Sequence, residues 1–191
     1  MKKLLKKIYD FEKMKLEDWE LFLESKDFYS QDKHGKSALY YVSRKGWTAI
    51  VKRLIKKGVD VNIKNRTSPY QTPLHQVNNK DVLCLLIEKG ADIQAPDHAG
   101  NTPLHTAWSG EIIKILLESG ADIDLENKKG NTPLEEILEK LNFSLSFSDR
   151  YKEEIKNLFF KQRIIKEKSH LIQSIPQADL ESSLKNKKTH L

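Results

Sequence analysis

Apolar positions in this chain come in short bursts at helical spacing, each closed by glycine or by polar residues. Near the start, Leu4, Ile8 and Phe11 fall on one face of a helix over 2–13, and Leu16, Trp19 and Leu23 on one face of a second over 16–25. The next burst predicts a helix near Ser37–Arg44 and another near Ala49–Lys57. Three apolar runs then end alike: Leu54-Ile55-Lys56-Lys57-Gly58-Val59-Asp60, Leu86-Ile87-Glu88-Lys89-Gly90-Ala91-Asp92 and Leu116-Leu117-Glu118-Ser119-Gly120-Ala121-Asp122. Glycine suits a helix end because the left-handed residue there has no Cβ to clash. Beyond a Ser-rich connection over 142–148, Tyr151, Ile155, Leu158 and Phe159 predict a long helix over 149–171. Pro176 breaks that pattern, and Ile175, Leu180 and Leu184 allow one further amphipathic turn. No strand-like alternation competes with this all-α reading.

A second phrase precedes the glycine runs in fixed order. It reads Gln71-Thr72-Pro73-Leu74-His75, Asn101-Thr102-Pro103-Leu104-His105 and Asn131-Thr132-Pro133-Leu134-Glu135, with a weaker copy at Lys36-Ser37-Ala38-Leu39-Tyr40. The step from Thr72 to Thr102 to Thr132 is 30 residues each time. Thr suits an N-cap, Pro the first helical position, and the Leu that follows faces inward. Two phrases recurring at a period near ~30 residues mark a stacked repeat array. The phrases T-P-L-H and G-A-D resemble the ankyrin repeat over about Asp32 to Ile137.

The resemblance implies a short all-α solenoid of helix, turn, helix and extended hairpin. Repeats are expected at about 32–64, 65–96, 97–126 and a partial one at 127–141. Residues 1–31 then form a helical N-terminal cap, 142–172 a C-terminal cap, and 173–191 a flexible basic tail. Caps are needed because an outermost repeat would otherwise expose its apolar face. In repeats two and three the Thr-to-Gly distance is 18 residues, against 21 from Ser37 to Gly58. The missing residues should step the groove floor and leave Asn78, Asn79, Trp108 and Ser109 at an irregular lip.

The 191 residues carry a formal charge of +6, and the surplus is uneven. Residues 1–31 are balanced at seven basic and seven acidic, 32–160 carry 19 and 17, and 161–191 carry seven and three. The start, Met1-Lys2-Lys3-Leu4-Leu5-Lys6-Lys7, lacks the apolar region of a secretory signal, and no run is long and apolar enough for a membrane span. The single cysteine, Cys84, excludes an intrachain disulfide and fits a reducing compartment. Within Val82-Leu83-Cys84-Leu85-Leu86 it is expected to be a buried structural thiol. No phosphate loop, no H-E-x-x-H and no zinc-type cysteine pair is present. His75 and His105 are accounted for by the repeat phrase. In the family this His bonds back to the hairpin and ties neighbouring repeats.

The expected function is therefore non-catalytic protein–protein interaction, with no cofactor and no metal. In the family, partners dock on the concave side, formed by hairpin tips and inner helices. By position these residues are Lys33, His34, Lys36, Arg44 and Lys45 in repeat one, Tyr70 and Gln71 in repeat two, His98, Ala99 and Asn101 in repeat three, and Lys128, Lys129 and Asn131 in repeat four. Trp47 and Trp108 are added as candidate aromatic anchors. The set is basic at both ends, which points to an acidic or polar partner surface bound by a monomer. Specific nucleic-acid binding is not expected, because the basic runs carry no interleaved aromatics. Asn62, in Val59-Asp60-Val61-Asn62 with Leu54 eight residues before it, resembles the hairpin asparagine modified by an oxygen-dependent asparaginyl hydroxylase. The Lys-, Asn- and Ile-rich composition joins the resemblance in suggesting a cytoplasmic protein of an intracellular microbe, or one delivered into a host cell. Two alternatives stay open: an enzyme using the 142–150 segment and the last helix, and an adaptor held on an anionic membrane by the basic tail.

Overall fold

The computed structural model describes residues 13–24, 29–32, 35–143 and 147–174, apart from the side chains of Leu16, Glu20 and Leu21. The helix expected over 2–13 lies outside them but for Lys13, and the chain from 175 onward lies outside them entirely. Eight α-helices are described: α1 (Leu16–Glu24), α2 (Ala38–Lys45), α3 (Thr48–Lys56), α4 (Lys80–Glu88), α5 (Pro103–Thr106), α6 (Gly110–Glu118), α7 (Pro133–Phe143) and α8 (Asp149–Ser174). A 3-10 turn, Pro73–Gln76, stands between α3 and α4. Among the described residues the extended chain makes only one isolated bridge, Gln31 to Ser37.

These elements form two stacked rows. The inner row is α2, the 3-10 turn, α5 and α7, each against the next; the outer row is α1, α3, α4, α6 and α8. The apolar stripes meet between them. Leu39, Leu74 and Leu104 come from the inner row and Leu54, Leu86 and Leu116 from the outer, all buried. Leu134, the fourth copy of the inner leucine, is only half-buried. Among the described residues no repeat follows to cover it.

The three glycine runs close their helices as their sequence predicts. Gly58, Gly90 and Gly120 have φ of +86°, +84° and +92°. The next residue then donates back across the turn: Val59 N to Leu54 O, Ala91 N to Leu86 O and Ala121 N to Leu116 O, at 2.9–3.2 Å. This double-looped stop satisfies carbonyls that the helix leaves open.

The outer helices of repeats one to three have nine residues each, while the inner elements run eight, four, four and eleven. The missing residues therefore come from the inner row. At ~1.5 Å per residue, α5 is about 6 Å shorter than α2. The chain turns extended at Val77 and Ala107, both buried, and passes directly to the outer helix. Asn79 then caps α4, its Oδ1 accepting from Asp81 N and Val82 N at 3.0 and 3.1 Å.

The Thr–His pairs join one repeat to the next. Thr72 N donates to His75 Nδ1 at 3.2 Å and Thr102 N to His105 Nδ1 at 3.1 Å; each threonine hydroxyl lies 2.9 Å from the same nitrogen. With Nδ1 accepting, the proton is on Nε2. That nitrogen donates to the carbonyl at the start of the next copy: His75 to Asn101 O at 3.0 Å, His105 to Asn131 O at 3.1 Å. In the fourth copy Glu135 accepts from Thr132 N and Thr132 Oγ1 at 2.8 and 2.7 Å. An acceptor suffices there, since the described chain offers no following hairpin to donate to.

Two predictions follow from this core. Leu104→Ala removes a fully buried side chain and should cost ~2–5 kcal/mol in urea unfolding, while Cys84→Ser, on the solvent side of α4, should change little. Burial holds the pKa of His75 and of His105 below the ordinary 6.5, against the opposing pull of the Nε2–H bonds to Asn101 and Asn131. Below that pH the unfolded chain binds more protons than the folded one. The contribution of the two rings is thus fully present above 6.5 and is lost as pH falls through their folded values. The urea midpoint should drop between about pH 7 and about pH 5, and the double variant His75→Gln/His105→Gln should flatten that slope. An unchanged slope in the double variant contradicts the assignment.

Candidate protein-binding face

The exposed inner side is built on hairpin fingers, and those of repeats three and four are each built on one acceptor. Asp97 Oδ1 accepts from Ala99 N and Asn101 N at 2.8 and 2.9 Å; Asn127 Oδ1 accepts from Lys129 N and Asn131 N at 2.9 and 3.1 Å. Asp97 N to Asn101 O and Asn127 N to Asn131 O close the same turns. Each finger then bonds to the next through its backbone: Arg66 N to Gly35 O, His98 N to Pro69 O and Lys128 N to Ala99 O, at 2.7–2.9 Å. The fingers pass so close that a Cβ on Gly100, at φ +80°, would meet Lys128 N at 3.0 Å. A rigid row of tips results.

The second finger is longer. Asn65 N reaches Gln71 O, two residues farther than the equivalent closure in repeats three and four. Tyr70 lies at its end with φ +57° beside a cis Ser68–Pro69 bond. Its ring is exposed and sits 5.5 Å from the exposed His98 ring on the neighbouring tip.

Gln71, expected among the partner-binding residues, corrects that reading. It is buried, donates from Nε2 to Asp97 Oδ2 at 3.3 Å and accepts from Gln76 Nε2 at 2.8 Å. Like Asn101 and Asn131 in the next two repeats, it closes the base of its finger, its carbonyl accepting from Asn65 N. Asn101 and Asn131 are half-buried and already engaged. Asn101 Oδ1 accepts from Asn127 Nδ2 at 2.8 Å, and Asn131 Nδ2 donates to Glu136 and Glu139 at 3.1 Å each. Lys33 and His34 lie outside the described residues.

The cations of repeat one are tied to rings. Lys36 Nζ lies 5.3 and 5.7 Å from the centroids of the buried Tyr40 and Tyr41, and Lys45 Nζ lies 4.8 Å from that of Trp47. Arg44 is exposed. Trp47 is half-buried and packs edge-on against the buried Trp19 at 6.4 Å, so it anchors the N-terminal cap. Trp108 is the opposite case, 56% exposed at the lip. Its carbonyl accepts from Tyr151 Oη at 2.7 Å, and that tyrosine hydroxyl in turn accepts from Gly110 N at 3.0 Å. The last helix thus pins the connector while the indole stays out.

The far end is not basic, and this changes the picture of a face basic at both ends. Lys128 and Lys129 are exposed, but Lys129 lies 3.4 Å from Glu136 and 3.8 Å from Glu139. Glu135 and Glu139 are also exposed. Burial works against the charge of Glu136, yet bonds from Asn131 and Asn127 and the charges of Lys140 and Lys129 hold its carboxyl below the usual range. Glu136 was not singled out in the sequence, and Tyr151 only as an apolar position of the last helix. The adjacent Glu135-Glu136 with Lys140 four residues on was the available signal for the first.

Two further expectations meet the coordinates differently. Cys84, expected buried, is exposed: α4 turns Val82, Leu83 and Leu86 inward and leaves the thiol on the solvent side. Asn62 is half-buried with both amide ends in use, Nδ2 donating to Gly90 O at 3.0 Å and Oδ1 accepting from Asp92 N at 2.7 Å. It staples the first hairpin to the second helix stop.

For chemistry the arrangement offers little. The Thr–His pairs are buried with both ring nitrogens bonded into the stack. Among the described residues no three His, Cys, Asp or Glu side chains are placed to hold a metal ion. Ser148, Asp149 and Arg150 are exposed rather than gathered in a pocket. One cavity beside α8, of about 310 Å³, is lined by Ile123, Thr132, Leu134, Lys156, Phe159, Phe160 and Arg163, without a histidine or carboxylate; a second, of about 450 Å³, has Asp122, Lys166 and His170 in its wall, with Lys166 already paired to Asp122 and Asp124. Among the described residues no helix is long and apolar enough to cross a membrane.

A search of curated proteins finds no match to this chain. The family model described as ankyrin repeats (3 copies) matches over residues 12–97 and again over 76–142. The first match takes in α1, which continues the outer row ahead of the first clear T-P-L-H-like phrase. Ankyrin repeats are in general non-catalytic modules for protein–protein interaction. The repeated phrases, the two-row stack and this match together place the chain in the ankyrin-repeat family.

Proposed function

We propose that the inner face of this array binds another protein, using Tyr70, His98 and Trp108 as ring contacts and Lys36, Arg44 and Lys45 as a basic margin. The observation that supports it most is that exposed rings stand on backbone locked from elsewhere. The Tyr70 finger is held through Pro69 O to His98 N, and the Trp108 connector through Tyr151. Large rigid rings are the usual hot spots of interfaces, and a surface fixed in advance loses little entropy on binding. The margin around repeat one favours an acidic patch on the partner, whereas Glu135 and Glu139 at repeat four favour a neutral or basic one. The partner is thus expected to be polarised along the array. An exposed lone thiol at Cys84 suits a reducing compartment, which supports a cytoplasmic setting in the source cell or in a host.

Affinity capture with the intact chain against matched variants tests this reading. Tyr70→Ala and Trp108→Ala should leave the melting temperature near the parent's, as both side chains are exposed. Trp108→Ala should weaken the complex by about 2 kcal/mol, roughly 30-fold. Reversal of Arg44 should slow association at low salt, with the gap closing as salt rises. Reversal of Lys52 and Lys56 on the outer row is the control. Loss of binding in that control with full binding in Trp108→Ala would move the site to the convex side.

A further inference from the structure

The second half of α8 is turned the wrong way round for a capping helix. Its first half packs inward through Ile155 and Phe159. Farther on, its polar side faces the array: Arg163 Nη2 bonds Asp124 at 2.9 Å, and Lys166 Nζ bonds Asp124 at 2.7 Å and Asp122 at 3.2 Å. The apolar side faces out. Phe160, Ile165, Leu171 and Ile172 are 63%, 55%, 66% and 62% exposed. At ~100° per residue, Phe160, Ile164 and Leu171 form one edge of this outward arc and Ile165 and Ile172 the other. Lys161 and Lys168 run along its midline.

The charges of α8 separate the two sides. Arg150, Lys152, Lys156, Arg163 and Lys166 each lie within ion-pair distance of a carboxylate. Lys161 and Lys168 have no such partner among the described residues. They are seven residues apart, ~10 Å along the helix, between apolar positions that repeat at the same interval: 164 with 171, and 165 with 172. A seven-residue apolar repeat with a charge at one recurring seam position is the pattern by which a coiled-coil helix selects its partner.

We propose that the outward face of α8 is a docking surface for an amphipathic helix of another protein, one that carries a carboxylate every seventh residue between apolar side chains. The carboxylates meet Lys161 and Lys168, and the flanking apolar side chains cover the two edges. Charge complementarity selects this occupant. A second copy of α8 paired in parallel would set lysine against lysine, a like-charge contact that works against pairing. An anionic lipid surface fits less well: cations of interfacial helices lie at the border of the apolar face and reach up to the headgroups, whereas these lie at its centre. The surface belongs to the outer row, so it is free to act while the inner face holds its own partner.

The test uses the full chain and two synthetic helical peptides of about three heptads with isoleucine and leucine at the apolar seam positions. One carries glutamate and the other lysine at the position facing Lys161 and Lys168. Fluorescence anisotropy should show the glutamate peptide binding at least ~10-fold more tightly than the lysine peptide, with the margin narrowing as salt rises. Lys161→Glu/Lys168→Glu should invert the order. Ile165→Ser/Ile172→Ser should abolish both signals without lowering the melting temperature, because these side chains are exposed. Equal binding of the two peptides, binding of neither, or a preference indifferent to the lysine reversal overturns the proposal. So does sedimentation on vesicles of phosphatidylcholine and phosphatidylserine in place of peptide binding, which assigns the face to lipid. A concentration-dependent dimer lost in Ile165→Ser/Ile172→Ser overturns it too, since the face then pairs with itself.

Discussion

Much of this array depends on one small constraint: a one-turn inner helix must be held at both ends. Pro73–Gln76 and Pro103–Thr106 are four residues long, too short to persist by their own hydrogen bonds. The Thr–His pair resolves this. The imidazole takes the amide and hydroxyl protons of its own threonine and gives its Nε2 proton to the next repeat. Local capping and repeat-to-repeat contact thus share one side chain, and each repeat's inner turn is ordered by its neighbour. Nδ1 can accept only while the imidazole is neutral, so the stack carries a built-in sensitivity to acid.

The parts legible in the sequence are those in which a residue type has one physical use. Thr72, Pro73, Leu74 and Gly90 each mark a backbone state, and the observed caps, buried leucines and positive φ angles are their direct expression. The parts that escaped depend on orientation. Val82-Leu83-Cys84-Leu85-Leu86 is apolar throughout, so its sequence does not say which residues of the helix face solvent, and Cys84 faces out. Gln71 occupies the same place in its phrase as Asn101 and closes its finger in the same way, but its side chain turns in to Asp97 and is buried. Lys128 and Lys129 suggested a basic end because the glutamates that oppose them lie on α7, whose exposed side is fixed only by packing.

Shortening the inner row has a consequence for the face as a whole. With α5 reduced to one turn, the chain reaches the outer helix through Ala107, Trp108 and Ser109, a stretch with few backbone partners of its own. Tyr151 supplies one from the far side, its hydroxyl bridging Trp108 O and Gly110 N, while its ring stacks on Phe147 at 5.3 Å. The C-terminal helix is therefore more than a lid on the core. It fixes the geometry of the lip from which the most exposed indole projects.

The same helix shows where the repeat logic stops. Glu135 in place of histidine, and Leu134 only half-covered, mark a stack that needs no further hairpin. An ordinary last repeat would follow with an outer helix of nine residues like α3, α4 and α6, polar on its outer side. Instead α8 runs for 26 residues, holds the array through carboxylates at Asp122 and Asp124, and turns isoleucine, leucine and phenylalanine toward solvent. Core packing has no use for that arrangement, since beyond Phe159 the polar side is the one in contact and exposed apolar area costs solubility. Burying Ile165 and Ile172 inward and leaving Arg163 and Lys166 outside would have capped the array better. The reversed amphipathicity, with two lysines spaced as a heptad along its midline, fits a second binding surface better than it fits a cap.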